Sequence, residues 1–145
     1  MAGKSNTHET DYLALVYNAT PITLLAINHS SPAANISVHL HTADPTDTGI
    51  ATTSEAIYTG YALVNVARTT GGWTVSSIGG VGTVVPVAAI TFPACTGGTM
   101  APITHFSTSL AGSTVILHSG PVTPNITVVN GTIPQLTTAT KIEED

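Results

Sequence analysis

The sequence predicts an all-β protein: a single antiparallel β-sandwich or jelly roll that follows one short N-terminal helix. Runs rich in Thr, Val and Ile are short and are separated by Gly, Pro, Asn or Asp, at the spacing of roughly 8–12 residues that is typical of such folds. Several runs alternate apolar and polar residues, which is the pattern of a strand with one buried face. Together they account for roughly seven to nine strands.

The first 21 residues predict a flexible arm and then the helix. Residues 1–9 are polar and form the arm. The helix is expected near residues 10–19, where Thr10 can serve as the N-cap and Pro21 ends the helix. Its apolar residues recur at nearly helical spacing: Tyr12, Leu13, Val16 and Tyr17. The Tyr and Val content also permits a strand here, so that alternative stays open.

The remaining chain predicts short strands within one β domain that spans residues 10–140. The predicted strands are 23–28, 35–42, 61–69, 84–92, 103–109 and 113–118, with a closing hairpin of 126–129 and 133–138. Asn130-Gly131 lies between the last two runs, and this dipeptide is a strong hairpin signal. Residues 43–49 are predicted as a loop, 121–125 as a break and 141–145 as an acidic tail.

Charged residues are scarce, at 8% of the chain against about 25% in an ordinary globular domain. Only Lys4, Arg68 and Lys141 are basic, and they face eight acids for a net charge of −5. Binding to nucleic acid or to an anionic membrane surface needs clustered Lys and Arg, so neither is predicted as a partner. No apolar run approaches the roughly 18 residues of a membrane-spanning helix.

The scarcity of charge also predicts lasting contacts with other subunits. A soluble monomer normally keeps itself dispersed through surface charge, and interface cores are depleted of charged residues. We therefore expect a homodimer or homotrimer. Tyr12, Val16 and Tyr17 of the predicted helix are the candidate interface residues.

Cysteine content and the N-terminal sequence indicate where the protein is made. Cys95 has no partner for an intrachain disulfide, and we expect it to behave as a small buried apolar residue. The polar start does not resemble a signal peptide. The protein is therefore expected in the cytoplasm until it assembles.

The sequence offers no catalytic constellation and no cofactor-binding motif. It lacks the G-x-S-x-G elbow of serine hydrolases, and its glycine runs lack the residues of a phosphate-binding loop. The acids outside the termini are Asp44, Asp47 and Glu55, for which loop capping is the expected role. The prediction is a protein that is not an enzyme and has no cofactor.

His39 and His41 are weak candidates for metal ligands. They lie two residues apart on a predicted strand, so both point to one side, and Asp44 follows. Completing a site would require His105 or His118 to approach in space. The alternative is that the pair lies on the solvent-facing side of an alternating strand, so no metal is predicted.

Seven motifs occur in an order that resembles a family of small virion proteins from tailed bacteriophages, variously described as tail-fibre-like or structural. The motifs are HTADPTDTG (41–49), YTGYALV (58–64), GGW (71–73), PVAAITFP (86–93), GGTMAPITHF (97–106), ILHSGPVTP (116–124) and ITVVNGTIPQL (126–136). The resemblance spans residues 36 to about 138. It implies a structural role in the virion, without an activity, and a fold that ends in a hairpin.

Three roles are open: the small size, predicted jelly roll, low charge and polar arm fit the first, the family resemblance favours the second, and the predicted fold permits the third. The first is a capsid decoration, or cement, protein that binds the major capsid protein or other virion proteins and stabilises the head at the capsid surface. The second is a structural protein of the tail, tail tip or fibre. The third is a carbohydrate- or receptor-binding module, although Trp73 and four tyrosines give few aromatic surfaces for sugars.

Overall fold

The computed structural model describes residues 4–27, 32–99 and 101–144 of the 145-residue chain. These residues form one helix and nine strands: α1 (Asn6–Asn18), β1 (Asn35–His41), β2 (Val64–Ala67), β3 (Trp73–Ile78), β4 (Val81–Pro86), β5 (Ile90–Thr91), β6 (Ile103–Leu110), β7 (Ile116–Ile126), β8 (Gln135–Leu136) and β9 (Ile142–Glu144). The strands form three sheets, in the orders β2-β1-β6-β7, β3-β4-β9 and β5-β8. The predicted all-β class with one N-terminal helix is confirmed. Within the described ranges, no helix is long and apolar enough to cross a membrane.

The chain divides into two compact units. Unit 1 comprises Met1–Ala34, Ala67–Ala89 and Thr137–Asp145, and contains α1, β3, β4 and β9. Unit 2 comprises Asn35–Val66 and Ile90–Leu136, and contains β1, most of β2 and β5 to β8. The single β domain expected over residues 10–140 stays a prediction.

Helix α1 of unit 1 begins earlier than predicted. Ser5 is the N-cap, and its side chain accepts a hydrogen bond from the His8 N–H at 3.3 Å. Thr10 is therefore not the cap, and its hydroxyl donates back to the Asn6 carbonyl at 2.8 Å within the helix. Residues 6–9, expected in the flexible arm, form the first turn, while residues 1–3 lie outside the described residues.

Strands β3 and β4 form a hairpin on which α1 packs closely. Gly79 and Gly80 make the two-residue turn with φ of 63° and 92°, which favours glycine at both positions. A Cβ at Gly82 would lie 2.8 Å from the Cβ of Glu9, which is too close for any side chain at position 82. The backbones of α1 and β4 are therefore almost in contact at this glycine. The buried Glu9 carboxylate accepts a hydrogen bond from the Gly82 N–H at 3.1 Å.

The core of unit 1 contains a pair of packed aromatic rings, and a buried arginine binds carbonyls at the C-terminal end of α1. Tyr17 packs edge-on against Trp73 with 5.0 Å between ring centroids, and both are almost fully buried. The Arg68 guanidinium donates to the carbonyls of Leu15 and Val16, each at 2.5 Å. These carbonyls lie in the last turn of α1, where a cation is favourable and carbonyls lack partners within the helix.

Residues 142–144 form a strand where an acidic tail was expected. They pair with β4, and Ile142 is buried opposite Val84. Ile142 lies between Lys141 and Glu143, and its burial explains why this charged segment forms a strand, because alternate residues of a strand point to opposite faces. Glu144 also contacts the ammonium of Lys4.

In unit 2, β1 and β6 are close to their predicted bounds, but β7 is not. It runs through residues 121–125, which were expected to break it. This strand lies at the edge of its sheet, where proline is tolerated because one side of an edge strand forms no ladder hydrogen bonds.

The predicted closing hairpin is wrong, although its turn forms. Gly131 has φ of 89°, and the Thr132 N–H donates to the Val129 carbonyl at 2.9 Å. The run that follows pairs with residues 90–91 as β8 instead of returning along 126–129. The Phe92 N–H donates to the Pro134 carbonyl, which fixes that alternative pairing.

Residues 22–26 of unit 1 form a tight turn where the strand 23–28 was predicted. The backbone groups of Ile22 and Ala26 bond each other at 2.8 and 3.0 Å, and Leu24 has φ of 64°. Asn28 lies outside the described residues. We name residues 22–27 the apolar loop, because Leu24, Leu25 and Ile27 are 104%, 67% and 85% exposed.

A buried histidine and serine network as candidate functional site

The candidate site lies on one face of the β1–β6 pair in unit 2. The register places Ser37 opposite Ser109, His39 opposite Ser107 and His41 opposite His105. Side chains alternate along a strand, so these six polar residues share a face. The face is not open to solvent, since His39 and His41 are 4% and 0% exposed. The alternative of a solvent-facing histidine pair is therefore wrong.

His41 is held as a neutral ring. Its Nδ1 donates to the Thr53 carbonyl at 2.8 Å, because a carbonyl can only accept. Its Nε2 accepts from the Ser107 hydroxyl at 2.8 Å. Burial lowers the pKa of His41 below its usual value, which keeps the ring uncharged at neutral pH.

His39 makes a second set of hydrogen bonds on the same face of the strand pair. Its Nδ1 lies 2.8 Å from Oε1 of Glu55, and its Nε2 lies 3.1 Å from Oγ of Ser109. Tyr61 donates its hydroxyl to the same Glu55 oxygen at 2.9 Å and accepts from the Leu40 N–H at 3.1 Å. We call His39, His41, Glu55, Tyr61, Ser107 and Ser109 the polar network.

The Glu55 carboxyl group of the network is ionised, whereas the Tyr61 phenol keeps its proton. Burial alone would raise the pKa of Glu55, but the hydrogen bonds from His39 and Tyr61 outweigh it and lower the pKa. Burial raises the pKa of the Tyr61 hydroxyl, which therefore remains a donor. A carboxylate that accepts two hydrogen bonds thus joins β1 to the connection between β1 and β2.

The network leaves no ring nitrogen for a metal ion. All four nitrogens of His39 and His41 have protein partners within 3.1 Å. His105 lies 4.0 Å from Asp44 and bonds Thr104 through Nδ1 at 2.9 Å. Within residues 4–27, 32–99 and 101–144, no group of three His, Cys, Asp or Glu side chains is arranged to hold a metal.

Ser109, His39 and Glu55 follow the order of a serine hydrolase triad. The Ser109 hydroxyl lies 3.1 Å from Nε2 of the His39 imidazole, and Nδ1 of the same ring lies 2.8 Å from the Glu55 carboxylate. However, the Ser109 side chain is fully buried, so a substrate carbonyl does not reach its Oγ in this structure. In this structure the three side chains are joined to one another by hydrogen bonds.

The candidate interface residues of α1 have different surroundings. Tyr17 is fully buried in unit 1 against Trp73, whereas Tyr12 and Val16 are half-buried. An interface at Tyr12 and Val16 stays a prediction, but the Tyr17 ring belongs to the interior of its own unit. Cys95 is fully buried in unit 2, as expected for a small apolar residue.

Sequence reasoning missed four members of the network: Glu55, Tyr61, Ser107 and Ser109. A signal for the serines was present, because residues 105, 107 and 109 are His, Ser and Ser, and 37, 39 and 41 are Ser, His and His. Two strands with this alternation, once paired, bring the polar residues to one face. Glu55 and Tyr61 carried no such signal, since they come from an irregular connection.

Comparison with known proteins identifies the family of the chain. The family model described as Gp80, podophage GP4 fiber I protein gp80, matches residues 3–141. No curated protein matches the chain. The match covers nearly the whole sequence and agrees with the resemblance to virion proteins of tailed phages. The chain belongs to this Gp80 family and is a bacteriophage virion structural protein.

Proposed function

We propose that the protein is a structural, non-catalytic subunit of a podophage fibre. The observation that carries the proposal is the match of a fibre-protein family over residues 3–141. It favours the tail or fibre role over capsid decoration, which the sequence alone had placed first. A sugar-binding role has little support, because Trp73, Tyr58 and Tyr17 are almost fully buried and offer no platform.

Immunogold labelling of intact particles tests the location. We expect antibodies against the protein to label the tail or its fibres, with a few to a few dozen copies per particle by gel densitometry. Label spread over the head, with hundreds of copies, would contradict the fibre role and restore capsid decoration at the capsid surface.

The apolar loop supports assembly through a protein contact. Its three large side chains project into solvent, and its hydrogen-bonded turn holds them in place. Residues 22–27 include no Lys or Arg, so the loop has no charge with which to attract phosphate or lipid headgroups. We propose that it docks on a neighbouring copy of the chain through these exposed apolar side chains.

Paired substitution of the loop tests that contact. We expect Leu24→Ser with Leu25→Ser to leave the fold intact but to weaken self-association by about tenfold or more, the scale of losing a buried anchor. Analytical ultracentrifugation of the purified protein measures this. Leu24→Met with Leu25→Met keeps the apolar surface and should associate normally. If both pairs associate equally but only the serine pair fails to enter particles, the loop binds a different virion protein.

A further inference from the structure

His41 lies among several titratable groups inside unit 2. His39 is beside it on β1 with 6.4 Å between ring centroids, and His105 is its register partner on β6. Glu55 reaches the same face from the connection between β1 and β2, and Asp44 lies 4.0 Å from His105. The partly buried Glu55 carboxylate therefore interacts with His39 and His41, whereas His105 has Asp44 near it.

Protonation of His41 conflicts with its surroundings. Nδ1 already donates to Thr53, so an added proton goes to Nε2, where the Ser107 hydroxyl now donates. That hydroxyl must turn away, and the new charge lies in a fully buried ring beside two other histidines. A buried charge without its own counter-ion costs far more than a neutral hydrogen-bonded ring.

The network fastens one segment of unit 2. Thr53, Glu55 and Tyr61 all lie on the connection between β1 and β2, and each bonds to β1 at 3.1 Å or less. We propose that the polar network is an acid-sensitive latch, in which protonation of His41 releases the connection of residues 42–63 and opens unit 2 while unit 1 remains folded. This inference concerns the isolated chain and does not depend on the fibre role.

The pH range follows from the direction of the shifts. The pKa of His41 is lowered from 6.5 by burial, so the unfolded state binds the proton first. Its stabilising contribution is complete above about pH 6.5 and falls as the pH drops below that value. The lowered pKa of Glu55 has the same sign and adds a further loss below its usual value of 4.5.

The chain carries one reporter in each unit. Trp73 is its only tryptophan and lies in unit 1, whereas Cys95 is its only cysteine and is fully buried in unit 2. Reaction of Cys95 with 4,4′-dithiodipyridine, which works in acid, follows opening of unit 2. Rates are divided by those of the urea-unfolded protein at each pH, which removes the effect of thiol ionisation. Trp73 fluorescence follows unit 1 in the same samples.

We expect the normalised Cys95 rate to rise about tenfold or more from about pH 7 to about pH 5, with Trp73 emission unchanged. His41→Gln keeps a donor and an acceptor without a titratable ring, and should flatten this ratio even if its rate at neutral pH is higher. His8→Gln, on α1 of unit 1, should retain the full ratio. Cys95 that stays protected at pH 5 in the natural chain would overturn the proposal, as would simultaneous opening of both units or an undiminished ratio in His41→Gln.

Discussion

Replacement of Tyr17 by alanine should unfold unit 1 readily, with a loss of about 3–5 kcal/mol in the free energy of unfolding. The ring is fully buried and packs edge-on against Trp73 at 5.0 Å, so its removal leaves a cavity beside the largest side chain of the unit. Urea unfolding of the purified protein, followed by Trp73 fluorescence and by circular dichroism, measures the loss.

Two controls separate this core role from a role in assembly. Tyr17→Phe retains the ring and should lose much less stability than the alanine variant. Tyr12→Ala removes a half-buried ring from the same helix and should have a smaller effect than Tyr17→Ala. Full stability of Tyr17→Ala in isolation, combined with failure to assemble, would contradict the packing and return Tyr17 to the interface.

Replacement of Glu55 by alanine should destabilise unit 2 by about 2–5 kcal/mol. His39 Nδ1 and the Tyr61 hydroxyl both donate to Oε1 of this residue, at 2.8 and 2.9 Å. Its removal leaves the donor of the buried His39 and that of the half-buried Tyr61 without this acceptor, which costs more than the hydrogen bonds contribute when made. Protection of Cys95 from a thiol reagent in rising urea concentrations measures the stability of this unit.

Glu55→Gln is the matched variant, because its amide oxygen can still accept both hydrogen bonds. It should lose less than half of the free energy of unfolding that Glu55→Ala loses. The loss that remains in Glu55→Gln measures how much the negative charge contributes to stability. Equal losses in the two variants would show that the charge, and not the acceptor, holds the network together.

The best sequence predictions concerned two strands of unit 2, of which residues 35–42 show alternating apolar and polar side chains. Residues 35–42 and 103–109 were predicted, and β1 and β6 occupy Asn35–His41 and Ile103–Leu110. Alternation identifies a strand directly, since it reflects the two-residue period of the pleat. The fold class followed mainly from the number, composition and spacing of the short runs.

The predictions that failed required knowledge of which strands pair. Asn130-Gly131 does make its turn, but residues 135–136 pair with 90–91, far away along the chain. A dipeptide specifies local geometry, whereas the partner of a short run depends on what the rest of the unit offers. Helix α1 begins after Ser5 and not after Thr10, and the sequence did not decide between them because residues 5–11 contain several good N-cap residues.

The polar network could not be predicted from the sequence for a related reason. His39 and His41 were singled out as a pair, but their exposure could not be judged without β6 across from them. The registers that place Ser107 and Ser109 beside the two rings arise only on pairing. Burial then turned two candidate metal ligands into hydrogen-bonded core residues.

Strand β9 has a consequence for the order in which the protein matures on the ribosome. Unit 2 has all of its residues once residue 136 has emerged, but the unit 1 sheet still lacks residues 142–144. Until these arrive, β4 is an outer strand with an unpaired edge, and such edges promote association between nascent chains. Unit 1, which contains the N-terminal segment, is thus completed last, and shortening the chain before Ile142 should make the protein aggregate through unit 1 while unit 2 remains folded.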